Sequence, residues 1–178
     1  MKMTLKHVIE AIDLLDGPVT GHMVAEYLRE RGLLVEQVPI DGSGGRTTFI
    51  TVSIPGVDGK STGGSAPTLG IIGMLGGLGA RPRRIGLVSD ADGALCALAI
   101  CLKLQTMKAR GDELKGDVLV ATHVCSDAPI VPHSPVEFMG SPVSMDVMNR
   151  LQVDPRMDAI LSVDATKGNR ISNSRGIA

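Results

Sequence analysis

Aromatic residues are scarce in this sequence, which has no tryptophan, one tyrosine and two phenylalanines among 178 residues. Proteins that bind unpaired nucleotide bases stack those bases on aromatic side chains. The chain carries 18 basic and 19 acidic residues, so it also lacks the basic surplus that neutralises a phosphate backbone. We therefore expect no nucleic-acid partner, and a core of aliphatic side chains packed around 22 glycines.

Long apolar runs and disulfide patterns are lacking as well. The longest apolar run, 68–80, contains five glycines and is shorter than the roughly 20 residues that span a bilayer. The N-terminus leads into an amphipathic segment, so no secretory signal is expected. The three cysteines, Cys96, Cys101 and Cys125, are an odd number, which indicates no disulfide framework. These features predict a cytoplasmic protein without a membrane partner.

The length suits one α/β domain over 1–178, which we expect to be incomplete at its C-terminus because the pattern predicts the start of a further strand at 174–178. Apolar residues at helical spacing predict a first helix through Leu5, Val8, Ile9, Ile12 and Leu15. Other helices are expected at 21–31, 93–108 and 145–151, and strands at 33–40, 47–54, 84–89, 117–122 and 158–163. The last three strands are apolar enough for the buried centre of a mostly parallel sheet. The pattern predicts three layers, with a mixed, mostly parallel central sheet flanked by helices.

Polar residues follow each of the three predicted central strands. Asp90 and Asp92 follow the first, His123 and Asp127 the second, and Asp164 the third. Ligands of open α/β sheets bind at the carboxyl ends of the strands, so we expect these side chains to converge. Carboxylates and imidazole suit Zn²⁺, Mn²⁺ or a similar divalent ion. The predicted metal ligands are Asp90, Asp92, His123 and Asp164, and the predicted catalytic residues are His123 and Asp127.

Each of these residues also has a structural interpretation. Asp90 or Asp92 can cap the helix that follows, and a lone His123 can be a hydrogen-bonded structural residue. Cys125 offers a different chemistry, because a thiolate near His123 and a helix terminus would have a lowered pKa and act as a nucleophile. The glycine-rich segment 69–79 lacks the Gly-Lys-Ser/Thr of a phosphate-binding loop, so it is expected to serve close packing or backbone approach to a ligand.

Three motifs carry a family resemblance: Asp-Ala-Asp-Gly-Ala at 90–94, Thr-His-Val-Cys-Ser-Asp-Ala-Pro at 122–129 and Ser-Val-Asp-Ala-Thr-Lys-Gly-Asn-Arg-Ile at 162–171. Over essentially the whole chain, the sequence resembles a bacterial and archaeal family catalogued as a domain of unknown function. More remotely, it is similar to co-catalytic zinc aminopeptidases of the glutamyl or deblocking type. That resemblance implies a zinc-peptidase-like fold, with Asp92 as the metal-bridging carboxylate and Asp164 as a later carboxylate ligand.

The resemblance implies a metal-dependent hydrolase, similar to a metallo-aminopeptidase, that acts on a small peptide or amide metabolite with zinc as its metal. The chain departs from those enzymes at Gly73-Met74-Leu75, where they place His-x-Asp, and it has no Glu-Glu pair at 123–127. A non-catalytic binding or assembly subunit that kept the fold is therefore a second interpretation, and a hydrolase or racemase that uses Cys125 is a third. We also expect a homo-oligomer, or a second polypeptide that completes the fold.

Overall fold

The computed structural model describes residues 3–74, 76–78, 91–132, 134 and 138–164. Within these ranges the chain forms four α-helices and seven strands. In chain order they are α1 (Met3–Leu15), α2 (Gly21–Arg29), β1 (Leu34–Gly42), β2 (Gly45–Ile54), β3 (Leu69–Gly73), α3 (Asp92–Ala109), β4 (Val118–Val124), β5 (Ile130–Val131), β6 (Phe138–Met139), α4 (Met145–Gln152) and β7 (Ala159–Val163). No helix in the described ranges is long and apolar enough to cross a bilayer.

Five strands form the central sheet in the order β1-β2-β4-β3-β7. Strand β3 pairs in parallel with both β4 and β7, whereas β2 runs antiparallel to β1 and to β4. Ile71 in the middle of β3 lies opposite Val120 on one side and Leu161 on the other. The predicted mixed, mostly parallel sheet is confirmed.

The two faces of the sheet are covered by different helices. Alternate residues of β2, such as Ile50 and Val52, join a core cluster with buried residues of α1, α2 and α3. Phe49, which precedes Ile50 and belongs to the opposite face of the sheet, is also buried and lies beside His123. Helix α4 contacts β2, and its Met148 borders a cavity together with His123. The chain therefore has three layers, as the sequence predicts.

Local signals place the first helices as expected. Thr20 caps α2, because its hydroxyl accepts a hydrogen bond from the Met23 amide. Gly32 follows with a φ of 78°, a left-handed conformation that favours glycine after a helix. In α1, the side that faces the core matches the apolar spacing of the sequence only in part. Its buried residues are His7, Ala11 and Leu15, and its exposed apolar residues are Leu5, Ile9 and Ile12.

The loop 55–67 lies at the amino ends of the parallel strands, where acidic side chains hold it. The Asp117 carboxylate accepts hydrogen bonds from the Gly56 amide at 3.0 Å and from the Ser61 amide and hydroxyl at 2.8 Å each. Burial alone would raise the pKa of Asp117, but these hydrogen bonds outweigh it and keep that pKa below its usual value. Asp158 accepts from Lys60 Nζ at 2.6 Å and from the Thr68 amide at 2.7 Å. The loop is thus fixed to the starts of β3, β4 and β7.

Two strand predictions are wrong in part. The segment 158–163 was expected to be a buried central strand, but among the described strands β7 is last in the order, and Ile160 and Leu161 are 42% and 48% exposed. Strand β4 continues to Val124, so His123 lies within the strand and not in the loop after it. The apolar segment gave the right secondary structure for β7, but composition does not determine what packs on a strand.

The glycine-rich segment holds a central strand that the sequence did not predict. Its first five residues are β3, between β4 and β7. A Cβ at Gly73 would lie 2.6 Å from the Gly93 carbonyl carbon and 3.0 Å from Ala97 Cβ, so the absence of a side chain lets α3 approach the sheet. The expected packing role of this segment is confirmed. The predicted strand 84–89 lies outside the described residues.

Candidate functional site

A cavity of about 240 Å³ lies at the carboxyl ends of the parallel strands. We call it the site cavity. Strand β4 contributes His123, the residues just after β3 and β4 contribute Met74 and Cys125, and Asp164 follows β7. Met145 and Met148 of α4 form another part of the wall. The site cavity is mostly apolar, with a few polar groups, which is the usual make-up of a small-molecule site.

Close backbone packing builds one wall of the site cavity. The Cys125 amide donates to the Gly76 carbonyl at 2.8 Å, and the Leu78 amide donates to the Cys125 carbonyl at 2.7 Å. A Cβ at Gly76 would collide with the His123 carbonyl oxygen. The segment after β3 can therefore lie against the end of β4 only because glycine occupies this position.

His123 is buried, and both of its ring nitrogens have hydrogen-bond partners. Nε2 lies 3.2 Å from the Met74 carbonyl oxygen, and Nδ1 lies 2.9 Å from the Thr47 hydroxyl. The ring packs near Phe49 with centroids 5.6 Å apart. Burial lowers the pKa of His123 to about 4, against a smaller opposing effect of the Met74 carbonyl, so the imidazole is neutral at pH 7.

The tautomer of His123 follows from these partners. A carbonyl oxygen can only accept, so Nε2 carries the hydrogen and donates it to Met74, and Nδ1 is left to accept from the Thr47 hydroxyl, whose single hydrogen is shared with the Val124 carbonyl 3.2 Å away. His123 would have to release one of these partners before it could bind a metal or accept a proton. Its arrangement in this structure matches the structural interpretation of a hydrogen-bonded histidine.

Cys125 is completely buried. Burial raises the pKa of its thiol to about 11, and the Asp127 carboxylate also raises it, while a backbone hydrogen bond opposes them. The lowered pKa expected for a nucleophile is therefore wrong for this structure, since the thiol stays protonated at neutral pH. The free Cys101 in α3 is also buried, where it packs as a small apolar residue.

The structure brings together only some of the predicted site residues. Asp164 is exposed at the end of β7 and borders the site cavity with His123. Asp92 and Asp127 are exposed and do not line it. Asp92 is the first residue of α3 and the N-cap position is Ala91, so Asp92 is not the capping residue. Asp90 lies outside the described residues.

The described residues do not by themselves fit a metal ion. Within the described ranges, no group of three His, Cys, Asp or Glu side chains comes together in a way that could hold one. A protein zinc site has at least three protein ligands. Here the site cavity offers one exposed carboxylate, Asp164, and one imidazole, His123, whose nitrogens are both hydrogen-bonded. The predicted metal set therefore stays a prediction.

Several residues of the site were not predicted from the sequence. Thr47 contacts His123 across 76 positions in the chain, and no local pattern indicates that pairing. Met148 lies on the apolar side of a predicted helix, which predicts burial but not the cavity it borders. These contacts depend on the order of the strands in the sheet, because that order decides which residues face His123. The sequence alone does not show the strand order.

Among solved structures, the chain is similar to the bottromycin maturation enzyme BotP, with 18% identity and a TM-score of 0.53 over 92% of this chain and 42% of BotP. It also matches a mutant of tomato leucine aminopeptidase, at 14% identity and a TM-score of 0.45 over 72% of this chain and 28% of that one. Leucyl aminopeptidase from Trypanosoma brucei, in complex with actinonin, gives 13% identity and a TM-score of 0.44 over 71% and 28%. The chain spans less than half the length of each. The likeness concerns the fold, which is a peptidase-like α/β fold.

No curated protein matches the chain. A family model described as "Protein of unknown function (DUF1177)" matches residues 38–178, which include every strand of the sheet except the first residues of β1. The match confirms the resemblance to a family catalogued as a domain of unknown function. With most of its length matched, the chain belongs to the DUF1177 family.

Proposed function

We propose that this chain is a hydrolase that binds a small peptide or amide in the site cavity and cleaves it there. The observation that carries the proposal is the position of the site cavity, at the carboxyl ends of three parallel strands in a peptidase-like fold, with the Asp164 carboxylate at its border. Ligands of open α/β sheets bind at this edge. The apolar walls suit the side chain of a small substrate.

Asp164 is the residue on which the proposed chemistry depends. Among the described residues that line the site cavity, it is the one carboxylate, and its exposure leaves it accessible to water or to a ligand. His123 is neutral with both nitrogens engaged, and the Cys125 thiol is protonated. These two groups form walls of the cavity, and Asp164 is left to orient or deprotonate a water molecule.

Metal dependence is a separate part of the proposal. The resemblance to zinc aminopeptidases implies a divalent ion held by Asp90, Asp92, His123 and Asp164, which would make a bound water more acidic. Elemental analysis of the purified, chelator-free chain tests it, with an Asp92→Ala, Asp164→Ala double variant alongside. A stoichiometric metal that is lost in the variant supports the ligand set. No metal in either protein overturns the metal-dependent version.

Hydrolysis is tested with a panel of amino-acid amides and dipeptides, by following release of the free amine. Asp164→Asn should lower kcat/KM by about 100-fold or more, the usual loss on removal of a catalytic acid or base. Asp112→Asn is the matched control, because Asp112 is exposed at the other end of the sheet, just after α3. Equal activity of Asp164→Asn and wild type would contradict the assignment. A similar 100-fold loss in Cys125→Ser alone would favour the cysteine-dependent alternative.

A binding or assembly subunit without catalysis is the second candidate. It is favoured by the state of His123 and Cys125, which are packed and hydrogen-bonded like structural residues. Calorimetry with the same amides separates the two functions. Binding that saturates at one site, without release of amine, would support the subunit and contradict the hydrolase.

A further inference from the structure

Helix α1 presents an apolar stripe to solvent. Leu5, Ile9 and Ile12 are 51%, 41% and 37% exposed, and their spacing of four and three residues places them on one side of the helix. The side turned to the core carries His7, Ala11 and Leu15, with Val8 and Leu14 partly buried against the core. A surface helix ordinarily carries one apolar stripe, which faces the core, and polar residues elsewhere. Helix α1 carries a second apolar stripe on its solvent side, and an exposed apolar surface of this kind is typical of a contact with another molecule.

A groove between α1 and α2 adjoins the stripe. It has a volume of about 1010 Å³ and includes Ile9 of the stripe and Met23 of α2, which is 52% exposed. Its charged residues are mostly acidic, and they are Glu10, Asp13, Glu26 and Glu30 against Lys6. The groove and the stripe form one continuous surface with apolar residues beside charged ones.

We propose that the α1 helix of a second copy of this chain covers the stripe, in antiparallel orientation. Ile9 lies near the middle of the stripe, with Leu5 four residues before it and Ile12 three residues after it. In an antiparallel pair centred on Ile9, Leu5 of one copy therefore lies level with Ile12 of the other, to within one residue or about 1.5 Å of helix rise. The stripe is complementary to itself, as a twofold-symmetric interface requires.

The charged flank of the stripe supports the same orientation. Lys6 and Asp13 are both exposed and line the groove. They are seven residues apart, close to two helical turns, so they lie on the same side of α1. In the antiparallel pair, Lys6 of each copy comes level with Asp13 of the other to within one residue, which gives two equivalent ion pairs. Among the described residues neither side chain has an ion-pair partner within its own chain.

Oligomeric state is measured by sedimentation velocity over a range of concentrations. A pair of short helices covers a small area, so we expect a concentration-dependent dimer. Ile9→Glu should weaken it by about tenfold or more, because a carboxylate would replace an apolar residue at the centre of the interface. Val57→Glu is the control, since Val57 is 61% exposed in the loop 55–67, away from α1. Circular dichroism verifies that both variants are folded.

A charge exchange tests the orientation. Lys6→Glu and Asp13→Lys should each weaken the dimer, since each puts two like-charged pairs in place of two ion pairs. The double variant Lys6→Glu, Asp13→Lys should regain wild-type association. A mixture of the two single variants should form heterodimers, because the two substituted side chains would then face each other, and the unchanged Lys6 of one variant would face the unchanged Asp13 of the other. No recovery in the double variant would overturn the antiparallel register.

The remaining outcomes are also decisive. A wild-type chain that stays monomeric at every concentration overturns the proposal and assigns the stripe to a different molecule. A dimer that Ile9→Glu does not weaken, while the variant stays folded, places the interface elsewhere on the chain. Either result leaves the proposed hydrolase untouched, because the stripe lies outside the residues that line the site cavity.

Discussion

His123 is a buried imidazole that stays neutral because burial, beside Phe49 and in the wall of the site cavity, disfavours its charged form more than the Met74 carbonyl favours it. Its pKa falls from about 6.5 to about 4 in the folded chain. The unfolded chain therefore binds a proton more readily, so the stability contributed by this group is fully present above pH 6.5 and is lost as the pH falls toward 4. Between pH 7 and pH 5 the loss should be about 2 kcal/mol.

Urea unfolding at pH 7 and pH 5 measures this dependence. His123→Gln provides the comparison, because glutamine has no titration in this range and can still donate and accept hydrogen bonds. We expect the variant to be less stable at pH 7, and to lose about 2 kcal/mol less than the wild type on acidification. An equal loss in the two proteins would mean that His123 does not titrate as its surroundings require.

The residue types of the site could be predicted, but their chemical states could not. The sequence indicated His123, Cys125 and Asp164 near strand ends, and all three border the site cavity. The pKa of His123 and Cys125 depends on burial by segments distant in sequence, including β2 and α4. A single sequence gives no measure of that burial, so it left open a nucleophilic Cys125 with a lowered pKa, whereas the pKa is raised.

At the scale of elements, the contact between β3 and α3 depends on Gly73. A Cβ at this position would lie 2.6 Å from the Gly93 carbonyl carbon and 3.0 Å from Ala97 Cβ, so α3 would have to move away from the sheet. Gly73→Ala should lower the free energy of unfolding by about 1–3 kcal/mol, as overpacking of a core does. Gly17→Ala, at a position with no neighbouring atom within 4 Å, should change it by less than about 0.5 kcal/mol.

Urea denaturation followed by circular dichroism compares the two glycine variants. The difference between them isolates the effect of the contact from the general effect of replacing glycine by alanine. If Gly73→Ala were as stable as Gly17→Ala, the distance between α3 and β3 would be adjustable at no cost, and the packing role of the glycine-rich segment would be wrong.

Most elements could be predicted because their signals are local. Residue periodicity indicated α1, and the helix expected at 21–31 and the strands expected at 33–40 and 47–54 correspond to α2, β1 and β2. Strand β3 was not predicted, because glycines at two of its five positions weaken the apolar pattern. The exposure of β7 could not be predicted either, since it depends on which strands neighbour it in the sheet and not on its own residues.

For the whole molecule, the prediction of a single domain can be tested through the one tyrosine. Tyr27 lies on α2, donates a hydrogen bond to Glu10 of α1 at 2.8 Å and packs against Arg31. Its fluorescence therefore reports on the α1–α2 pair, which precedes the residues matched by the family model. Circular dichroism reports on all helices and strands. Because one core cluster joins α1, α2 and α3 to the sheet, the two signals should change together in urea.

Both curves are recorded at one protein concentration, since association shifts apparent stability. Coincident midpoints and slopes would support one cooperative domain. An earlier change in tyrosine fluorescence would contradict it, and would show that α1 and α2 unfold before the sheet does.

The carboxylates of Asp117 and Asp158, which hold the loop 55–67, also affect which mutations this chain tolerates. Asp117 and Asp158 tie that loop to the starts of the parallel strands, whereas the site cavity lies at the opposite ends of the same strands. Substitutions at the first end should act mainly on the amount of folded protein, and substitutions at the second should act mainly on the proposed binding of a ligand. The proposed ligand preference could therefore diverge among relatives while Asp117 and Asp158 continue to maintain the fold.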